Sequence, residues 1–173
     1  MGEQSKTGGC LCRAIKYAFD KQNLISAHHC HCMDCQKSTG SGKATILMLP
    51  SQAIQMEGEL KFHTTTTASG RNMSRGFCEE CGSPVLSFIE EMPEVRFVKA
   101  GSLDDSSWLK IDSSFFSSSA HSWSPIDEDI PSFTHNPDKV WLNFLFLFFL
   151  LWVLVWQFLW PYQHGSFGWY GSY

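Results

Sequence analysis

The chain has no basic stripe, no apolar leader behind its first methionine and, before residue 137, no long stretch of helical periodicity. Thirteen Lys and Arg stand against seventeen Asp and Glu for a net charge of −4, and the basic residues are dispersed. Nucleic acid is therefore not an expected partner. The run Asp127-Glu128-Asp129 reads as solvated surface. Met1-Gly2-Glu3-Gln4-Ser5-Lys6 lacks the apolar core of a secretory signal, so the expectation is a cytoplasmic domain whose thiols stay reduced. The missing 3.6-residue repeat excludes a helical bundle.

In place of helices there are short apolar runs cut by Gly, Pro and charge. Ala14 to Asp20 alternates, with Ile15, Tyr17 and Phe19 on one face, and predicts a strand. Leu24 to His31, Ala44 to Leu49, Leu60 to Thr67, Pro84 to Ile89, Glu94 to Ala100 and Lys110 to Phe116 read the same way, and Arg71 to Phe77 leads into Cys78. Asp34 to Gly42 reads as a short helical turn and loop. The 173 residues suffice for one domain with a real core and not for two. The fold class expected is mainly β, with residues 7–137 as the domain.

Seven cysteines carry the chemistry, arranged as Cys10-Leu11-Cys12, Cys30-His31-Cys32-Met33-Asp34-Cys35 and Cys78-Glu79-Glu80-Cys81. Thiolates one or two residues apart converge on one soft cation, and Zn²⁺ is the usual one. The odd count is awkward for disulfides and suits a four-thiolate site plus a three-thiolate site. Cys10 and Cys12 project to one side of an extended chain, and Cys78-Glu79-Glu80-Cys81-Gly82 forms a knuckle whose glycine suits a positive φ. Together these four would make a closed, structural zinc site. Closing the loop of more than sixty residues between them carries an entropy cost that grows only slowly with length.

Cys30, Cys32 and Cys35 would then hold a second zinc and leave one coordination position open, the arrangement of a catalytic zinc. Two alternatives stay open at the level of spacing. The trio's ion is completed by His28, His29 or His31, or the pairs combine differently between the sets. His31, between two ligands, is expected to point away from the ion they share.

These residues resemble a known family. Gly8-Gly9-Cys10-Leu11-Cys12, Cys30-His31-Cys32-Met33-Asp34-Cys35-Gln36-Lys37-Ser38-Thr39-Gly40 and Phe77-Cys78-Glu79-Glu80-Cys81-Gly82-Ser83-Pro84 are similar to motifs of the glutathione-dependent formaldehyde-activating enzyme and centromere protein V family. Ala100-Gly101-Ser102-Leu103-Asp104-Asp105 and Asp129-Ile130-Pro131-Ser132-Phe133 follow in the same order. The resemblance implies a β-tent of small sheets. It also implies a structural zinc on Cys10, Cys12, Cys78 and Cys81 and a second zinc on Cys30, Cys32 and Cys35. The activity implied is reversible joining of glutathione to formaldehyde as S-(hydroxymethyl)glutathione, a carbon–sulfur lyase reaction. Two departures stand out: Arg13 occupies a position where the family often has glycine, and Ser118 to Trp123 replaces a stretch that often carries a basic residue before Ala-Pro-Trp.

The functional expectation is thus a zinc-dependent lyase acting on a thiol–aldehyde adduct. Cys30, Cys32 and Cys35 are its zinc-mediated catalytic residues, and a small thiol such as glutathione and an aldehyde are its partners. Lys37, Lys43, Arg71 and Arg75 are candidate carboxylate partners, each with an ordinary surface charge as the competing reading. His121 and Trp123 are read as pocket lining, with a hydrogen-bonded side chain as the competing reading for His121 and a core position for Trp123. The alternative function is a non-catalytic, zinc-stabilised interaction module.

Val140 to Trp160 breaks with all of this: 21 residues without a charge, interrupted only by Asn143 and Gln157. As a helix it would run about 31 Å, the thickness of a bilayer's hydrocarbon core, with Trp141 near one interface and Trp160 and Tyr162 at the other. Residues 140–160 are therefore a candidate transmembrane tail anchor, against the reading of a non-native tail. An anchor predicts that the full chain stays in the membrane pellet through carbonate extraction while a chain ending at Pro137 is released; release of both would remove the anchor.

Overall fold

The computed structural model describes residues 4–136. The segment 140–160 lies outside the described residues, and among these no helix is long and apolar enough to cross a membrane. In chain order the strands are β1 (Ser5–Gly9), β2 (Lys16–Asp20), β3 (Ser26–Cys30), β4 (Ala44–Pro50), β5 (Gln55–Glu57) and β6 (Lys61–Thr66). They continue as β7 (Asn72–Phe77), β8 (Pro84–Ile89), β9 (Val95–Lys99), β10 (Ser113–Phe115) and β11 (Ser132–Phe133). A seven-residue helix, α1 (Met33–Thr39), follows β3. One sheet is small, in the order β1-β2-β5; the other has eight strands, β11-β10-β3-β4-β9-β8-β7-β6.

The fold is mainly β, as the alternating runs predict. Ile15, Tyr17 and Phe19 all turn inward and are buried. They meet Leu47 and Leu49 of β4, Val85 and Leu86 of β8 and Val98 of β9 in one cluster. Burying each large aliphatic here stabilises the fold by about 1.5–3 kcal/mol. Three strands escaped the sequence reading for one physical reason. β1 is polar and glycine-rich, β5 is exposed along its length and β11 is two exposed residues, so none has an apolar face to reveal it. They exist through pairing: β1 lies antiparallel to β2, β5 to the other edge of β2, and β11 parallel to β10.

Close packing, not conformation, requires Gly8. A Cβ there would sit 2.3 Å from the Tyr17 hydroxyl and 2.4 Å from the Ser102 carbonyl. The bare backbone lets the Tyr17 ring cross β1 and reach Ser102 Oγ at 2.8 Å. Across the same gap Thr7 Oγ1 donates to Asp104 Oδ2 at 2.7 Å, and the Asp104 amide donates to the Thr7 carbonyl at 3.0 Å. The Gly101-Ser102-Leu103-Asp104 segment is thus stitched to the first hairpin.

Burial, opposed by the Ser102 contact, pushes the Tyr17 phenol up to about 12 from its ordinary 10.0. The folded chain then keeps a proton that the unfolded chain loses. Stability is complete below pH 10 and falls as pH rises toward 12, by up to about 1.4 kcal/mol per pH unit. Denaturant midpoints measured from pH 9 to 11.5 should show that slope in the wild type and a flatter one in Tyr17→Phe; parallel slopes would remove Tyr17 as the cause.

Candidate metal centre

The first thiol pair sits in the turn between β1 and β2. The Cys10 amide donates to the Ile15 carbonyl at 3.0 Å and the Arg13 amide to the Cys10 carbonyl at 3.1 Å, folding Cys10 to Arg13 into a tight loop. Arg13 closes it with φ of 66°, in the left-handed region where a side chain costs about 1–2 kcal/mol. This explains physically why glycine suits that position. Arg13 offsets part of the strain by an ion pair with Asp104.

The second pair forms the knuckle between β7 and β8. Gly82 lies at φ 71° as expected. Its amide donates to the Cys78 carbonyl at 2.8 Å, and the Cys78 amide to the Ser83 carbonyl at 3.0 Å. Ser83 Oγ ties the two loops together, 3.2 Å from Cys81 Sγ and accepting from the Leu11 amide at 3.2 Å.

Cys10, Cys12, Cys78 and Cys81 thereby bring their sulfurs within 4.8 Å of one another. Cys10 and Cys12 are 3.5 Å apart and Cys12 and Cys78 3.7 Å. A tetrahedron with typical zinc–sulfur arms has edges of about 3.8 Å, so this quartet fits such an ion without rearrangement. Cys10 and Cys78 are buried and belong to the core cluster. Hydrogen bonds from the Ser83 hydroxyl first, then from the backbone amides of Cys12 and Ser83, draw the Cys81 thiol down to about 5.

The other cluster straddles the end of β3 and the start of α1. Cys30 is the last residue of the strand, Cys32 the N-cap and Cys35 lies in the first turn. Their sulfurs also converge within 4.8 Å, and among the described residues no histidine, aspartate or glutamate joins them. Two of the candidate histidines are engaged elsewhere: His28 contacts Ser26 at 2.7 Å and Ser113 at 2.9 Å, and His29 contacts Thr45 at 3.0 Å. His31 is fully buried with neither ring nitrogen hydrogen-bonded, and it stays outside the trio as expected. Contacts from Cys30 and then Cys35 draw the Cys32 thiol down to about 2, and those same contacts with burial push Cys30 up.

Gln36, immediately after Cys35, was not singled out by the sequence reading. It is buried, donates Nε2–H to the His31 carbonyl at 2.7 Å and to the Ser119 carbonyl at 2.9 Å, and accepts from His121 Nε2 at 2.9 Å. His121 is thus the hydrogen-bonded side chain of the two readings offered for it. Trp123, expected in the core, is 69% exposed. The chain turns back on itself, with the Ser124 amide bonded to the His121 carbonyl at 2.9 Å. That turn lays the indole flat on the His121 ring at 5.1 Å instead of sending it inward.

Of the four candidate cations, Lys37 and Arg71 are exposed, and Arg71 reaches only Met92 Sδ. Arg75 is held by Asp34 on α1 at 3.4 Å and by Thr65. Lys43 lines a cavity of about 690 Å³ together with Thr39, Thr45, Arg13 and Ser102. A smaller cavity of about 250 Å³ is lined by Ser38, His63, Arg75 and Phe77. Lys99, which the sequence reading passed over at the end of a strand, lines both. Burial pushes its ammonium below the ordinary lysine range, against the pull of Cys35.

A mainly β frame with two convergent thiol clusters, each able to hold a metal ion, defines the class of protein. A family model described as glutathione-dependent formaldehyde-activating enzyme matches residues 5–119, and the chain belongs to that family. A crystal structure of a Rhodobacter sphaeroides protein is similar at 21% identity with a TM-score of 0.45, over 57% of this chain and 87% of that one. No curated protein matches.

Proposed function

We propose that residues 7–137 form a β-tent, zinc-binding catalytic domain that acts as a carbon–sulfur lyase on a thiol–aldehyde adduct of the S-(hydroxymethyl)glutathione kind. The observation that carries this reading is the unequal pair of clusters. Cys10, Cys12, Cys78 and Cys81 form a closed quartet, whereas Cys30, Cys32 and Cys35 converge as three, with no further protein ligand among the described residues. Zinc is the ion that all-thiolate donor sets favour. The quartet would hold a structural ion and the trio a catalytic one.

The reaction joins a thiol to an aldehyde. A carbon–sulfur bond forms, the carbonyl π bond becomes a hydroxyl, and the thiol's proton ends on that oxygen; the reverse releases both partners. A zinc ion on Cys30, Cys32 and Cys35 would supply Lewis acidity and a lowered thiol pKa at its remaining coordination position. The chain's own residues set the surroundings. Gln36 fixes α1 against the 119–121 segment and so fixes Cys35 relative to Cys30. The larger cavity is lined by Cys10 of the quartet and by Ala44, the strand partner of Cys30. Lys43 and Lys99 would give it a positive wall for an anionic substrate and for charge developing on oxygen. Formaldehyde is reactive on its own, so orientation and charge stabilisation are the main contributions required of the protein.

Two substitutions separate the clusters. Cys81→Ser opens a quartet embedded in the core and should leave the chain largely unfolded by circular dichroism. Cys35→Ser should keep the native spectrum while zinc content by mass spectrometry falls from two per chain to one. Equal collapse of both variants would end the division into structural and catalytic ions.

Activity is read by trapping S-(hydroxymethyl)glutathione from glutathione and formaldehyde. The wild type should accelerate its formation and breakdown, and Cys35→Ser should lose about 10²-fold or more of that acceleration. A wild-type chain with two tightly held zincs and no acceleration with any thiol would favour the interaction module.

A further inference from the structure

Lys99 combines deep burial with the absence of a protein partner. It is the last residue of β9, set opposite Ile46 of β4, and is 7% exposed. Lysine is almost never buried to this degree without a counter-charge. Yet among the described residues its ammonium takes part in none of the ion pairs, and no hydrogen bond satisfies it. Apart from the thiols of Cys30, Cys32 and Cys35, which act on it, the acidic neighbours are already taken. Asp104, the carboxylate of the larger cavity, is engaged by Arg13 and Thr7, and Asp34, near the smaller one, is engaged by Arg75. The cavities therefore carry cations in excess, with Lys43 in one wall and Lys99 shared by both. The larger, at about 690 Å³, falls in the roughly 300–1,000 Å³ range of small-molecule sites.

We propose that Lys99 is the specificity-determining cation of the substrate cavity, taking a carboxylate of the thiol substrate so that the site selects acidic thiols over neutral ones. The proposal rests on the reading of the chain as a thiol–aldehyde lyase and names the residue that reads the thiol's carboxylates. The rival role for Lys99 is electrostatic service to Cys30, Cys32 and Cys35, whose thiols act on it. That role would make the lysine necessary for metal retention and indifferent to the substrate's carboxylates.

The test is equilibrium binding to the full-length, zinc-loaded chain, with glutathione, glutathione diethyl ester and 2-mercaptoethanol as probes. Lys99→Met keeps the length and burial of the side chain and removes its charge; Lys99→Arg restores charge, and Lys37→Met serves as an exposed control. The wild type should prefer glutathione to its ester, and Lys99→Met should weaken glutathione about tenfold or more, the order expected for a lost charge-assisted hydrogen bond. Binding of the ester and of 2-mercaptoethanol should stay within about twofold, zinc content should stay at the wild-type value, and Lys99→Arg should recover the preference.

Equal binding of acid and ester by the wild type would overturn the proposal, as would equal weakening of all three probes in Lys99→Met. Loss of one zinc from Lys99→Met would overturn it in favour of the electrostatic role. A Lys99-dependent preference for the acid without any turnover of formaldehyde would uphold the carboxylate site while removing the lyase reading.

Discussion

The meeting of Cys10 and Cys12 with Cys78 and Cys81 is the constraint on which the rest of this domain hangs. The small sheet meets the large one through the Ile15, Tyr17 and Phe19 face, through the ties of Thr7 and Tyr17 to the segment after β9, and through this knot of sulfur. Each half of the knot is a tight turn that would have little reason to persist alone: one closes on a strained Arg13, the other on Gly82 at positive φ. Brought together they share Ser83, which touches Cys81 on one side and the Leu11 amide on the other. A metal held by such a set links binding to folding, because the unfolded chain offers no preformed site.

The second cluster is built on a different plan. Its three thiols come from one strand end and one helical turn, and their order depends on what grips α1 from outside. Gln36 does this with both ends of its amide, bonding to His31 and Ser119 through nitrogen and to His121 through oxygen. The segment Ser118 to Trp123 therefore braces the trio, through the Ser119 carbonyl and the His121 imidazole, and it leaves an indole lying on the surface.

Much of this was legible in the residues. Cysteine spacing revealed three candidate metal-binding turns because chelate geometry is local, while their partition into quartet and trio was favoured by spacing and implied by the family resemblance. Period-two alternation revealed β2 because its buried face has a non-polar signature. β8 took the expected bounds, Pro84 to Ile89. What stayed hidden shares a cause. β1, β5 and β11 are strands only by virtue of their neighbours, so no local pattern announces them. Lys99 stands at the end of a Val-Arg-Phe-Val-Lys run that reads as a surface charge, and its burial follows from β9 lying between β4 and β8 inside the large sheet. Trp123 has the composition of a core residue, but a three-residue return of the chain decides its place.

The two clusters also differ in how much polypeptide must exist before they can assemble. Cys12 and Cys78 are 66 positions apart, whereas the trio is complete once Cys35 has left the ribosome. During synthesis the short chelate can therefore gather while the long one still awaits its second half, and the early chain carries two unmatched thiols, Cys10 and Cys12, for as long as it takes to make the intervening strands. A cell supplying metal to such clusters meets an ordered vectorial problem, with the three-thiol cluster available first and the four-thiol one last.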